Sequence, residues 1–151
     1  MPKRGRRSAG SWLRELACFA ITRPSQFREK SSQWFSDVVF LQKHERWSPL
    51  IYLGGFVIEC LLKSVLWPRR NEPRMRQLLW RSHDLMELLA GCTALDAEIR
   101  KPAFAGVWSA FEFLASWTVR IRYNPKRPST DDARAYWQRL TEVRRWLLGR
   151  V

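Results

Sequence analysis

The chain has 151 residues, with 27 Lys and Arg against 14 Asp and Glu for a net charge of +13, and its hydrophobic share of 46% includes nine Trp and eight Phe. That length and apolar content suit one domain with a core of its own, while three cysteines (Cys18, Cys60, Cys92) at unhelpful spacings argue against a disulfide framework or a thiolate zinc site. The charge is segregated, with net +5 in residues 1–24, +1 in 25–68, +4 in 69–81, −3 in 82–117 and +6 in 118–151. This distribution suits a surface meeting a polyanion, nucleic acid foremost, with an acidic protein partner or a merely solvated surface as the alternatives.

Met1 to Gly10, with Lys3, Arg4, Arg6 and Arg7, reads as a disordered basic tail. Ser11 to Ile21 suits a short helix capped by Ser11, with Trp12, Leu16 and Phe19 on one face, and Pro24 breaks it. Arg14 and Glu15 interrupt the apolar stretch, which is therefore not expected to be a secretory signal. Residues 1–24 are thus a leading tail and 25–151 the bundle. A long helix is predicted from there to about His44, with Phe27, Ser31, Trp34, Val38 and Leu41 at helical spacing and His44 as a partner of the helix C-terminus.

Ser48 and Pro49 then mark an N-cap and first helical position, and Pro68 is expected to stop the helix after Trp67. This helix is apolar almost all round, as a buried helix is, except for Glu59 and Lys63, four apart in the favourable order for pairing. Such a pair inside such a helix is a structural ion pair or part of a site. Leu50 to Leu66 is 17 residues, the short end of the roughly 17–25 that span a membrane. Each of the two charges would cost on the order of 3 kcal/mol near the bilayer centre. A soluble, cytoplasmic chain without a membrane contact is expected.

Arg69 to Arg81 reads as a Pro-interrupted, Arg-rich link. Ser82 is expected to cap a short helix with Asp84 in its first turn, core residues Leu85, Leu88 and Leu89, and Gly91 just past its end. A second short helix spans about Ala94 to Arg100. A further one runs to about Trp117, marked by Phe104, Trp108, Phe111 and Ala115. After the turn at Asn124, Pro125 and Pro128, Ser129 starts the last helix, with Trp137, Leu140, Val143 and Leu147 inward and Arg134, Arg145 and Arg150 mostly outward. No strand pattern and no repeat is visible. The expected fold is all-α, an up-and-down helical bundle of four long helices plus short ones.

Three pieces stand in one order: Tyr52…Gly54-Gly55-Phe56…Glu59-Cys60-Leu61-Leu62-Lys63, then Ser82-His83-Asp84-Leu85…Leu88-Leu89, then Trp117…Arg120-Ile121-Arg122-Tyr123-Asn124-Pro125. Over about residues 26 to 148 this resembles the HEPN superfamily, whose small helical bundles often read G-x-x-x-E-x-x-L-K, H-D-L and R-Y-x-P. The resemblance implies a dimer-forming bundle associated with RNA or a nucleotide. Such domains occur in toxin–antitoxin pairs with minimal nucleotidyltransferases, in antiviral defence and as non-catalytic modules. Many catalytic members carry an Arg, four to six residues and then a His near the start of a late helix, and two such sites meet across the dimer to cut RNA without a metal. This chain has no His beyond His83. Arg76 and His83 match the spacing, with six residues between them, but in the Arg-rich link.

The residues expected to contact nucleic acid or a nucleotide are Arg120, Arg122, Tyr123 and Asn124, with Arg76, Arg81, Lys63 and Glu59. In an extending chain Arg120 and Arg122 would point the same way, along a phosphate backbone, and Tyr123 would stack on a base. The structural alternative packs Tyr123 inside and pairs Arg122 with Glu59. His83, expected neutral and hydrogen-bonded in a helix's first turn, is with Arg122 the candidate for catalysis. A histidine would take the ribose 2′-hydroxyl proton and an arginine would stabilise the developing phosphorane charge. Two distant His without clustered carboxylates leave no metal site to expect, and no cofactor is expected. Three functions are open: an RNA- or nucleotide-binding module, a metal-independent ribonuclease, or a protein-interaction and oligomerisation subunit using Trp12, Trp47, Trp67 and Trp80 as an apolar patch.

Overall fold

The computed structural model describes residues 13, 16 and 19–151, and seven α-helices follow one another between Ser25 and Leu148, with no strand among the described residues. Leu13 and Leu16 are helical and exposed. The Ser11 cap, Trp12, Cys18 and the basic stretch 1–10 lie outside the described residues. α1 (Ser25–Lys43) follows Pro24, and the Gln26 side-chain oxygen accepts the Thr22 and Arg23 N–H groups at 2.7 and 3.0 Å, closing the entry turn.

The corner after α1 is set by backbone hydrogen bonds. The Arg46 N–H donates to the Leu41 carbonyl at 2.9 Å and the Glu45 N–H to the Gln42 carbonyl at 3.1 Å, with Glu45 held at φ 53°. This is a Schellman closure, whose left-handed residue is usually glycine. Next to it, the His44 ring packs on Phe40 at 4.3 Å between centroids.

α2 (Trp47–Leu66) therefore begins earlier than Ser48, with Arg46 at its N-cap and Pro49 inside the first turn. Proline is tolerated there because first-turn N–H groups have no partner within the helix. The α-helical ladder ends at Leu66, and the chain tightens into a 3-10 turn, Trp67–Arg69, that carries Pro68. α2 is long and apolar enough to cross a membrane, with a mean hydropathy of 1.7, and 67% of that stretch is buried by the rest of the fold. Each fully buried Leu or Ile here contributes about 1.5–3 kcal/mol.

The Arg-rich stretch is not a link. α3 (Pro73–Arg81) occupies most of it, with Met75, Leu78 and Leu79 buried. Pro73 is a start signal rather than a break, because it takes the first helical position. α4 (Leu85–Gly91) is capped by Asp84, not Ser82: the Asp84 carboxylate accepts the Met86 and Glu87 N–H groups at 2.9 and 3.0 Å. The Ser82 hydroxyl instead accepts the Asp84 N–H and donates to Glu87. α5 (Thr93–Ile99) and α6 (Ala105–Leu114) follow, the latter entered through a 3-10 turn at Pro102–Phe104. α7 (Thr130–Leu148) starts at Ser129, whose hydroxyl accepts the Asp132 N–H at 3.0 Å.

These helices form an all-α up-and-down bundle in which α2 is the central member, packed against α1, α7 and α4. The Ser31 hydroxyl donates to the Val57 carbonyl at 2.8 Å across α1 and α2, and the Phe35 and Trp137 rings stack at 5.7 Å across α1 and α7. Where α2 meets α7, Gly54 lets the Tyr136 ring approach, and the Tyr136 hydroxyl donates to the Ile51 carbonyl at 3.1 Å. The tryptophan patch does not form as expected: Trp67 is in the core, Trp47 is half-buried and Trp80 stands exposed against the Trp67 edge.

Much of the positive charge is folded into this architecture. Arg144 lies over Phe35 at 3.7 Å, Arg139 over Phe113 at 4.3 Å and Arg100 over Trp108 at 4.1 Å, while Arg150 covers both Phe104 and Trp146. Each such contact adds about 0.5–2 kcal/mol. Arg150, expected outward, is half-buried for this reason.

Replacing Glu45 by glycine removes the left-handed penalty of roughly 1–2 kcal/mol, less about 0.5–1 kcal/mol of extra unfolded-state freedom. Glu45→Gly is expected to raise the urea midpoint of unfolding slightly at unchanged slope. A lowered midpoint would contradict the closure described.

Candidate functional site

α2 carries an acidic group where the surroundings are apolar. Glu59 and Lys63 are 4% and 6% exposed, and the Lys63 ammonium donates to the Glu59 carboxylate at 2.7 Å. A second donor reaches the same carboxylate from 24 residues away: His83 Nδ1 lies 3.1 and 3.0 Å from its two oxygens. His83 stands in the extended segment just before the Asp84 cap, not in a helical first turn, and its side chain is 46% exposed. With Nδ1–H donating to Glu59, Nε2 is left as the acceptor of the neutral ring. Carboxylate, ammonium and imidazole thus run from the interior to the surface.

On the same face of α2, half-buried Tyr52 and Phe56 precede buried Glu59 and Lys63 at spacings of four, three and four. Phe56 is its hub. Its ring meets Tyr52 at 5.3 Å, Trp117 at 5.1 Å and His83 at 6.2 Å, all edge to face, and Trp34 at 6.1 Å, over which Lys30 sits at 4.3 Å. Trp117 reaches Phe56 because residue 55 is glycine; any Cβ there would overlap the indole ring. The indole N–H donates to the Tyr52 carbonyl at 3.1 Å.

The Arg120–Asn124 segment adopts a 3-10 turn, Val119–Tyr123, capped by Thr118, instead of an extended strand. At three residues per turn, side chains two apart diverge, so Arg120 and Arg122 do not line one edge. Arg122 donates to the Tyr52 hydroxyl at 3.5 Å and lies over the Tyr123 ring at 4.8 Å; it does not pair with Glu59, whose partners are Lys63 and His83. Tyr123 is 73% exposed, which rules out the packed alternative. The Asn124 side-chain oxygen accepts the Lys126 N–H and shapes the following turn.

Beside His83 opens a hollow of about 350 Å³ whose cations are Arg74 and Arg81, with Glu87 and Asp84 opposite. Arg74 and Arg81 are seven apart on α3 and share a face, whereas Arg76 is turned away, donates to the Asn71 carbonyl at 3.2 Å and lies on the Trp80 side. Arg76 and His83 are therefore not brought together. Arg74 was legible only to a helical reading of 73–81, which the buried positions 75, 78 and 79 support. Glu59 and Lys63 are buried, and it is Glu59 that holds His83. Among the described residues no three His, Cys, Asp or Glu side chains gather as a metal site.

No protein-family model matches the chain, and no curated protein and no solved structure is significantly similar to it.

Cys60 lies next to Glu59 in sequence, and burial, reinforced by the Glu59 charge, pushes its thiol up to about 12; burial raises Cys92 to about 12 as well. Both are protonated at neutral pH in either folded or unfolded chain, so neither makes stability pH-dependent there. Above the ordinary value of 9.0 the unfolded thiols ionise first, and the stability held by the protonated forms is lost as pH rises toward about 12. In a Cys18→Ser background, native protein at pH 8 is expected to leave both thiols unreacted with Ellman's reagent until denaturant is added. Fast labelling of the native state would refute their burial.

The triad yields a second expectation. Lys63→Ala leaves Glu59 with only the half-exposed imidazole and should cost about 3 kcal/mol or more in urea unfolding. The double change Glu59→Leu with Lys63→Leu should recover most of it, because no buried charge remains. A double variant as unstable as the single one would refute the ion-pair account.

Proposed function

We propose that the chain is an RNA- or nucleotide-binding module of the HEPN type, cytoplasmic and homodimeric, serving a prokaryotic defence or toxin–antitoxin system, with a nucleotidyltransferase antitoxin as one fitting partner. One observation carries the reading: the three separated segments on which the resemblance rests converge in space. His83 closes on Glu59, Trp117 on Gly55 and Arg122 on Tyr52. They leave an exposed rim of Arg122, Tyr123, His83 and Arg81, in which cations alternate with an aromatic face, as single-stranded nucleic acid requires. The net charge of +13 supports it electrostatically.

The metal-independent ribonuclease is the second reading, favoured by the Glu59–His83 contact at 3.0 Å. A carboxylate that holds Nδ1–H fixes the tautomer and leaves Nε2 to accept a proton, which is the arrangement of an oriented general base. Arg81 and Arg74 line the same hollow and would face the phosphorane charge. Arg122 is engaged with Tyr52 and does not line that hollow, so it is the weaker catalytic candidate.

Fluorescence anisotropy with a labelled single-stranded RNA is expected to show affinity falling steeply with salt, with a log–log slope near −0.7 per phosphate contact. Absent or salt-independent binding would remove the reading. In EDTA, cleavage that disappears in His83→Ala while binding persists would promote the ribonuclease. Binding without such cleavage is the expected result.

A further inference from the structure

Resting on the RNA-binding reading, we propose a second phosphate-contacting surface for single-stranded RNA at the end of the bundle where α2 and α7 begin, with Arg46 and Arg127 as its principal contacts. The cations divide by what each one touches. Arg69, Arg100 and Arg150 pair with carboxylates, Lys63 is buried on Glu59, and Arg139, Arg144 and Arg150 cover aromatic rings. By contrast twelve cations have neither a carboxylate partner nor an aromatic face among the described residues: Arg28, Arg74, Arg76, Arg81, Lys101, Arg120 and Arg145 elsewhere, and Lys43, Arg46, Lys126, Arg127 and Arg134 at this end.

These five do not scatter. They line three adjoining hollows of about 540, 540 and 500 Å³. The first two share Ser48, Arg127 and Pro128, and the first and third share Glu45 and Trp47. Two carboxylates stand against the five cations, Glu45 and Asp132, and Asp132 already accepts the Ser129 hydroxyl at 2.7 Å.

The surface continues toward the site described above. Asn124 and Ile121 form one wall of the second hollow, and the next residues along the chain in that direction are Tyr123 and Arg122, the latter on Tyr52. From Trp47 to Glu59, α2 runs about 18 Å at 1.5 Å per residue. Along that length come half-buried Trp47 with Arg46 and Arg127, then Asn124, then exposed Tyr123 with Arg122, then His83 with Arg81 and Arg74. Cations interleaved with aromatic faces suit a polymer that offers a phosphate and a base at each unit. An acidic peptide would use the cations and leave Trp47 and Tyr123 without a role.

The test uses the full chain with a labelled twelve-nucleotide single-stranded RNA and, separately, with uridine monophosphate as a probe too short to span both ends. Arg46→Glu with Arg127→Glu should weaken the twelve-mer at least tenfold at low salt and reduce the magnitude of its salt slope by about 1.4, two contacts at 0.7 each. Uridine monophosphate binding should be unchanged. The milder pair Arg46→Gln with Arg127→Gln, checked for wild-type urea unfolding, should show the same slope change and separates lost contacts from misfolding. An unchanged twelve-mer affinity and slope in folded variants overturns the proposal while leaving the RNA-binding reading in place. No twelve-mer binding by the wild type overturns both. Twelve-residue poly-glutamate displacing the RNA at equal concentration, with the same sensitivity to Arg46 and Arg127, assigns the surface to an acidic protein instead and also overturns the proposal.

Discussion

A carboxylate is buried in the middle of the long apolar helix α2, and it must be matched by donors. Glu59 sits at 4% exposure with apolar neighbours before and after it, and an unmatched charge there would cost several kcal/mol. Lys63 supplies the local match, one turn along the same helix. His83 supplies the distant one and thereby pins the extended corner between α3 and α4 against α2. The corner carries Asp84, whose side chain starts α4, so the ion pair and the capping of the next helix are settled within two residues of chain. Removing the charge requirement would free that corner from α2.

Because α2 is both the packing centre and the backing of the candidate site, its residues divide into two kinds. Gly54, Gly55, Glu59 and Lys63 face packed neighbours, so changes there are felt first as lost stability. Tyr123, Arg81 and His83 are exposed on the rim, so changes there cost less packing. The family-like motifs mix the two kinds in single stretches. A motif residue on α2 is thus as informative about packing as about chemistry.

The long helices were readable in advance because Phe27, Ser31 and Val38 on α1 and Leu140, Val143 and Leu147 on α7 recur at helical spacing, and all are buried. The pairing within α2 was readable too, since positions four apart meet on any helix. α3 escaped because Pro68 and Pro73, both ahead of its core positions, look like interruptions, and only placement distinguishes a Pro that begins a helix from one that ends it. The His83–Glu59 contact escaped for another reason: 24 residues separate the partners, and nothing local encodes a tertiary contact of that reach. The charge was countable in advance, but the packing use of several arginines was not. Arg139, Arg144 and Arg150 are lids on aromatic rings, a use that net charge cannot register.

The close approach of Trp117 to Gly55 fastens the start of the segment behind it to α2. The indole N–H on the Tyr52 carbonyl, the ring on the bare Cα, the Arg122 bond to the Tyr52 hydroxyl and the half-buried Val119 and Ile121 hold Val119–Tyr123 to the core, while Arg120, Arg122 and Tyr123 are exposed. Such a segment opens at a fraction of the free energy of global unfolding, so its amide protons exchange with solvent well before those of α2. Tyr123 and Arg122 therefore stand on the part of the fold that opens first, and Glu59 on the part that opens last.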